Sequence, residues 1–132
     1  MREKAEEFGK SLDNDNFNKT KTLLSDHCVY NIGQLKLIGP ESIINLYQQN
    51  MINGRKKLDK LEWGKSMVED IKDNEFYIHF TDHLTHQSVQ YTHKCKQRIR
   101  FGEDGKIIQI DHIDNPDETN KLNEYYQKVG LK

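Results

Sequence analysis

The apolar residues of this chain change their spacing partway along, and that change restricts the possible folds more than any other feature. Ala5, Phe8 and Leu12 recur at helical spacing, and Phe17, Thr20, Leu23 and Leu24 resume the stripe after Asp13-Asn14-Asp15-Asn16 interrupts it. Two helices and a turn are predicted. After Ser25-Asp26 the spacing becomes two: Cys28, Tyr30 and Ile32 alternate with His27, Val29 and Asn31, as in a short strand. Residues 33–37 read as a turn leading into another short extended piece. Gly39-Pro40-Glu41-Ser42 then starts a helix, because Pro is tolerated in the first turn and an early Glu suits the positive end of the dipole. That helix is predicted to carry Ile43, Leu46, Tyr47 and Met51 on one face and to end near Asn53-Gly54. From Leu61 onward the alternation persists. Strands are predicted over 62–72, 76–84, 89–101 and 106–114, with a turn at Asp73-Asn74, a looser one over 86–88 and a hairpin turn over 102–105. An antiparallel meander is the economical reading. Asn115-Pro116 ends it, and a polar helix over 117–128 follows, carrying Leu122, Tyr125 and Tyr126 with Val129 just beyond it.

Helices first and strands afterward make an α+β chain. At 132 residues it is the size of one domain, predicted to span 1–132, and a chain of this length buries roughly two thirds of its unfolded surface. Lys plus Arg number 20 against 21 for Asp plus Glu, a net charge of -1. No long-range field draws such a chain to nucleic acid or anionic lipid, so neither is an expected partner. The hydrophobic share is 34% and the charged share 31%, yet the apolar residues fall in periodic blocks, which argues against disorder. A thin core, or one completed by a partner subunit, is the consequence. The apolar runs are short and the stretch after Met1 is charged and polar, which predicts no membrane span and a cytoplasmic location. Cys28 and Cys95 stand apart with no metal-type spacing and read as reduced thiols.

The order of these elements resembles the nuclear transport factor 2-like superfamily, which includes SnoaL-like polyketide cyclases and ketosteroid isomerases. The pieces that carry the resemblance are Leu23-Leu24-Ser25-Asp26 before a strand, the Gly39 helix start with Leu46-Tyr47, and Phe101-Gly102-Glu103-Asp104-Gly105-Lys106-Ile107 in the last hairpin. It implies a cone-shaped fold, with N-terminal helices packed on a strongly curved antiparallel sheet, a C-terminal helix added, and a pocket at the open end. Matching the last hairpin to the isomerase pattern places Cys95, Gln97 and Ile99 inward on one strand and Ile110, His112 and Asp114 inward on the next. The same matching turns Tyr30, Ile32, Leu46, Tyr47 and Phe8 inward. It also puts Ile32 at the position of the isomerase base, Phe8 at that of the tyrosine donor and Gln97 at that of the protonated aspartate. Ile abstracts no proton and Phe donates no hydrogen bond, so the resemblance does not extend to that mechanism.

Other chemistry rests on fewer residues. His112 and Asp114 share a strand face two residues apart, and a His beside a carboxylate can act as acid or base near neutral pH. His93 has the phase of Cys95 and Gln97. His79, His83, His86 and His93 gather near the central hairpin, but His79 and His83 lie four residues apart, about 13 Å along a strand, too far to share one ion. No metal and no cofactor are implied, and the four are expected to decorate the outer face. Thr92, Lys94, Lys96, Arg98 and Arg100 form a basic stripe there, expected to face acidic residues such as Glu62, Glu69 and Asp82. Trp63, Tyr30, Tyr47 and Tyr91 are read as core aromatics, one or two of them suited to a flat apolar ligand.

The leading reading is a small-molecule-binding domain whose pocket takes an apolar or aromatic molecule, in a homodimer formed through the outer sheet face as the resemblance implies. A second reading is a lyase, cyclase or isomerase moving a proton with His112 and Asp114 on a carbonyl or polyphenolic substrate. A third is a dimeric interaction module with a filled core.

Overall fold

The computed structural model describes residues 1–131, so the last residue of the predicted 1–132 unit lies outside the described residues. Helix α1 (Arg2–Asp13) buries Ala5, Phe8, Gly9 and Ser11, one stripe at helical spacing. The chain reverses at Asp15, which takes a positive φ of 54°. The Asn16 side chain then caps α2 (Phe17–Leu23) by accepting from Lys19 N. Ser11 Oγ and Thr20 Oγ1, 2.6 Å apart and buried, tie the two helices together.

Strands β1 (Leu24–Ile32) and β2 (Leu35–Ile38) form a hairpin, and α3 (Pro40–Lys57) follows. This helix continues a turn past the predicted stop at Asn53-Gly54. The glycine there serves packing instead: a Cβ on Gly54 would lie 2.6 Å from Leu61 Cδ2. The predicted strand over 62–72 is two strands, β3 (Lys60–Trp63) and β4 (Met67–Lys72), both paired with β5 (Glu75–His86). Between the pairs Trp63/Asp82 and Met67/His79 one strand supplies an extra residue, which breaks the ladder as a bulge does. The turn into β6 (Val89–Phe101) is tight, not loose: Gln87 and Ser88 take φ of 49° and 66°, the mirror-image turn whose twist suits a hairpin. Strand β7 (Ile107–His112) stops two residues short of the predicted end, and α4 (Pro116–Lys128) closes the chain.

The sheet order is β2-β1-β7-β6-β5-β3, with β4 also on β5. The meander holds from β5 to β7, but β1 lies parallel to β7, a long-range pairing that no local pattern announces. Register shifts in β1/β7, β4/β5 and β6/β7 mark where the ladder is irregular, and such bulges bend a sheet. Two apolar clusters sit on the helix side. The larger joins Phe8, Ile43 and Ile44 to Ile78, Ile99, Ile107 and Ile110. The smaller joins Leu58, Leu61 and Leu84 to Tyr125 and Val129 of the C-terminal segment, with Trp63 and Leu122 against it. The opposite face is polar. Arg98 pairs with Glu75 at 2.6 Å, His79 with Glu69 at 2.7 Å, and Lys96 lies over the Tyr77 ring at 4.4 Å.

The contact between α1 and the sheet is close enough to be tested. A Cβ on Gly9 would collide with Ser66 Oγ and sit 3.3 Å from Ile78 Cγ2. Ser66 has little freedom to retreat, because Asp13 accepts from both its N and its Oγ at 2.8 Å. Gly9→Ala should therefore destabilise the protein by about 1–3 kcal/mol despite Ala being the better helix former, as read by urea denaturation.

Candidate functional site

The two apolar clusters do not meet completely, and a cavity of about 310 Å³ lies where they approach. Its helix side is formed by Leu12, Phe17, Tyr47, Asn50, Met51 and Leu122, with Asp13 and Asp15 at the α1–α2 turn. Its sheet side is a diagonal band of polar groups: Tyr30 on β1, His112 on β7, Gln97, Cys95 and His93 on β6, and Asp82 on β5, among Ile32, Phe80 and Trp63. Strand alternation places them. On β5 the inward positions run Phe76, Ile78, Phe80, Asp82 and Leu84, and register sets Asp82 opposite His93 and Gln97 opposite both Ile78 and His112.

The structure thus brings Tyr30, Ile32, Tyr47, Cys95, Gln97 and His112 to the cavity wall. Phe8, Ile99 and Ile110 are wholly buried in the larger cluster and Leu46 packs against it, so those four are core and not wall. Asp114, expected to face inward, lies beyond the end of β7 and is exposed, because the strand and its alternation stop at His112; its charge still acts to raise the pKa of His112. Two further expectations bear on the sheet's faces. Asp82 does not face the basic stripe of the outer sheet surface but turns into the cavity, because it shares the phase of Ile78 and Phe80. His93 keeps the inward phase it shares with Cys95 and Gln97 and lines the cavity, so it does not join the outer histidine group, while His79 and His83 stay outside with Glu69 and Thr92 as partners. A polar residue interrupting an otherwise apolar inward stripe is the signal that would have found Asp82.

Hydrogen bonding along the band is incomplete. Tyr47 donates its hydroxyl proton to Gln97 Oε1 at 2.7 Å, and Gln97 Nε2 donates to the Tyr30 oxygen at 3.1 Å. One amide set between two phenols accepts a single phenolic proton whichever way it is turned, so the second phenol keeps a proton to donate. Both rings are held edge to face, with centroids 5.7 Å apart. Burial raises both hydroxyls above the ordinary phenol range, so they remain neutral donors. His93 Nδ1 and His112 Nδ1 are buried with no hydrogen-bond partner among the described residues. Glu118 Oε2 stands 3.6 Å from His93 Nδ1, beyond hydrogen-bond reach, and instead accepts from Tyr91 at 3.2 Å. Burial lowers the pKa of both imidazoles, against the opposing charges of Glu118 and Asp114 respectively; His93 lowers that of His112 further. The Cys95 thiol is pushed up to about 12 by burial and by the negative charges of Asp82 and Glu118, which leaves it an unreactive thiol. Asp82 is pushed up to about 6 by burial alone. Among the described residues no group of three or more His, Cys, Asp or Glu side chains is placed to hold a metal ion.

No family model matches the sequence, and no curated protein matches it. Solved structures do match in shape. A candidate polyketide cyclase from Xanthomonas campestris pv. campestris superposes with a TM-score of 0.68 at 11% identity, over 89% of this chain and 92% of that one. TerC, co-crystallised with polyporic acid, gives 0.67 at 9% identity over 92% and 96%. A nuclear transport factor 2-like protein of unknown function from Cytophaga hutchinsonii gives 0.62 at 16% identity over 90% and 93%. The chain therefore has the nuclear transport factor 2-like fold. Identity this low carries the fold and no more.

The cost of holding Asp82 in the cavity wall is measurable. Its pKa is raised from 3.8 to about 6 in the folded chain, so the favourable protonated state is lost as pH rises through about 6 and folding is weakened above it. Asp82→Asn should stabilise the protein at pH 7 by about 1–3 kcal/mol, and the gain should shrink to nothing as pH falls to about 4. Parallel denaturation curves of both proteins across that range give the test.

Proposed function

We propose that this chain binds a small, flat, largely apolar molecule in the cavity between its helices and its sheet, with oxygen or nitrogen atoms turned to the sheet side. One observation carries the reading: the phenols of Tyr30 and Tyr47, the Gln97 amide and the imidazoles of His93 and His112 line the same void, and the phenol pair keeps a proton with no acceptor among the described residues. Buried polar groups are ordinarily satisfied, and leaving one unpaired costs about 1–3 kcal/mol. A ligand that meets them removes that cost, while Leu12, Phe17, Met51 and Leu122 receive its apolar body. The co-crystallisation of TerC, a protein of the same fold, with polyporic acid is consistent with a small-molecule ligand. The homodimer through the outer sheet face belongs to the same proposal. The helices themselves call for no membrane: none among the described residues is long and apolar enough to cross one.

A neutral bicycle with one hydroxyl, 2-naphthylmethanol, is a suitable probe. Titration followed by NMR should move the amide signals of Tyr30, Gln97 and His112 together and saturably. Ile32→Trp, which fills the cavity from β1, should weaken binding at least about tenfold without lowering the melting temperature. Shifts scattered over the surface, or unchanged affinity in the filled variant, would refute the reading.

Proton transfer is the second reading, and the placement of Asp82 opposite His93 with His112 nearby favours it over the His112 and Asp114 pair. A carboxyl near 6 and neutral imidazoles in one cavity suit acid–base work near neutral pH. The isomerase set is replaced by Phe8, Ile32 and Gln97, so any such activity uses other groups. An enzyme of this kind should speed exchange of the α-protons of 2-tetralone in D2O at least about tenfold over buffer, and His112→Gln or Asp82→Asn should remove the acceleration. Exchange at the buffer rate would leave the protein a binder only.

A further inference from the structure

The ligand's charge can be read from the cavity wall. Three carboxylates line it, Asp13, Asp15 and Asp82, and no Lys or Arg is among the described lining residues. Two of the three are already served. Asp13 accepts from Ser66 N and Oγ, and Asp15 accepts from Trp63 Nε1 at 2.7 Å and pairs with Arg55 at 2.8 Å. Asp82 is not. Among the described residues no hydrogen bond or ion pair ties up its carboxyl, whose charge acts on the Tyr126 phenol and the Cys95 thiol nearby.

We propose that the cavity selects a protonated amine, seating the ammonium against Asp82 and the apolar body toward α1 and α3; this rests on the binding function proposed above. Register puts Trp63 beside Asp82 on β3 and His93 beside it on β6, and Phe80 precedes it on the same face. An ammonium in that corner meets one unpaired carboxylate, and an aromatic ring that turns its face toward it adds a further attraction. The imidazoles do not supply a counter-charge to the Asp82 carboxylate, since burial favours their neutral forms. Glu118, near His93, adds a further negative charge at that side. A carboxylate ligand would enter the same space beside the unpaired Asp82 with no Lys or Arg among the described lining residues to receive it, and would be rejected by desolvation and repulsion together. An alcohol would bind through its ring and donate one hydrogen bond, without the charge.

Three ligands on one ring system separate these cases: 2-naphthylmethylamine, 2-naphthylmethanol and 2-naphthoate, measured by calorimetry at pH 7.5 on the wild-type protein and on Asp82→Asn. The amine should bind wild type about tenfold more tightly than the alcohol, and the naphthoate at least about tenfold more weakly than the alcohol. In Asp82→Asn the amine's preference over the alcohol should fall from about tenfold to about threefold or less, both ligands being measured on the same variant. Naphthoate binding wild type as well as the alcohol, or an amine preference that survives the substitution, overturns the proposal while leaving the cavity a binding site. Failure of all three ligands to bind wild type overturns the binding function itself and this inference with it.

Discussion

The pairing of β5 with β6 is the constraint on which the rest depends. It is the longest ladder in the sheet, running from Glu75/Arg100 to His86/Val89, and it fixes the facing of every side chain along two strands. Toward one end the inward residues are Phe76, Ile78, Ile99 and Phe101, which pack under α1 and α3 as the main core. Toward the other they are Asp82, His93, Cys95 and Gln97, which no core could absorb without loss. A single hairpin therefore builds a solid half and a hollow half, and a slip of one residue would exchange both for the charged outer face.

The hollow half survives because other parts of the chain hold it open. The C-terminal helix is fastened to the end of the hairpin: Tyr125 donates to Val89 O at 2.7 Å and stacks on Tyr91, with centroids 5.3 Å apart. That second cluster carries Leu122 and Trp63 to the cavity from one side, while α3 brings Tyr47 from the other. Trp63 is itself fixed through its indole N–H to Asp15, at the turn between α1 and α2. The wall is thus pinned from four elements, and its unpaired groups reduce stability that the two apolar clusters supply. Polar groups retained at such a loss are the usual mark of a functional site.

Much of this architecture was legible from the spacing of apolar residues. Helical spacing located α1, α2 and α3, and alternation located β1 and the hairpins, because local periodicity and burial agree there. The inward facing of Tyr30, Cys95, Gln97 and His112 followed from alternation anchored on the fold resemblance. Misreadings arose where a residue answered to a distant contact. Gly54 looked like a helix stop but makes room for Leu61, and residues 64–66 looked like strand but bulge against Thr81. The parallel pairing of β1 with β7 joins segments far apart in sequence and leaves no local trace. Asp82 was misplaced because charge suggests an outer face, whereas phase, the stronger constraint in a strand, turns it inward.

A crystal structure of the protein as purified, at a resolution that shows ordered water, tests most directly whether the hollow half of the hairpin is a built site. The expected result is density in the cavity, from a carried-over molecule or from fixed waters, in contact with a phenol of the Tyr30–Gln97–Tyr47 chain and with the imidazole ring of His93 or His112. A void closed by Trp63, Met51 and Leu122 folding inward, with both imidazoles bonded to protein atoms, would contradict it.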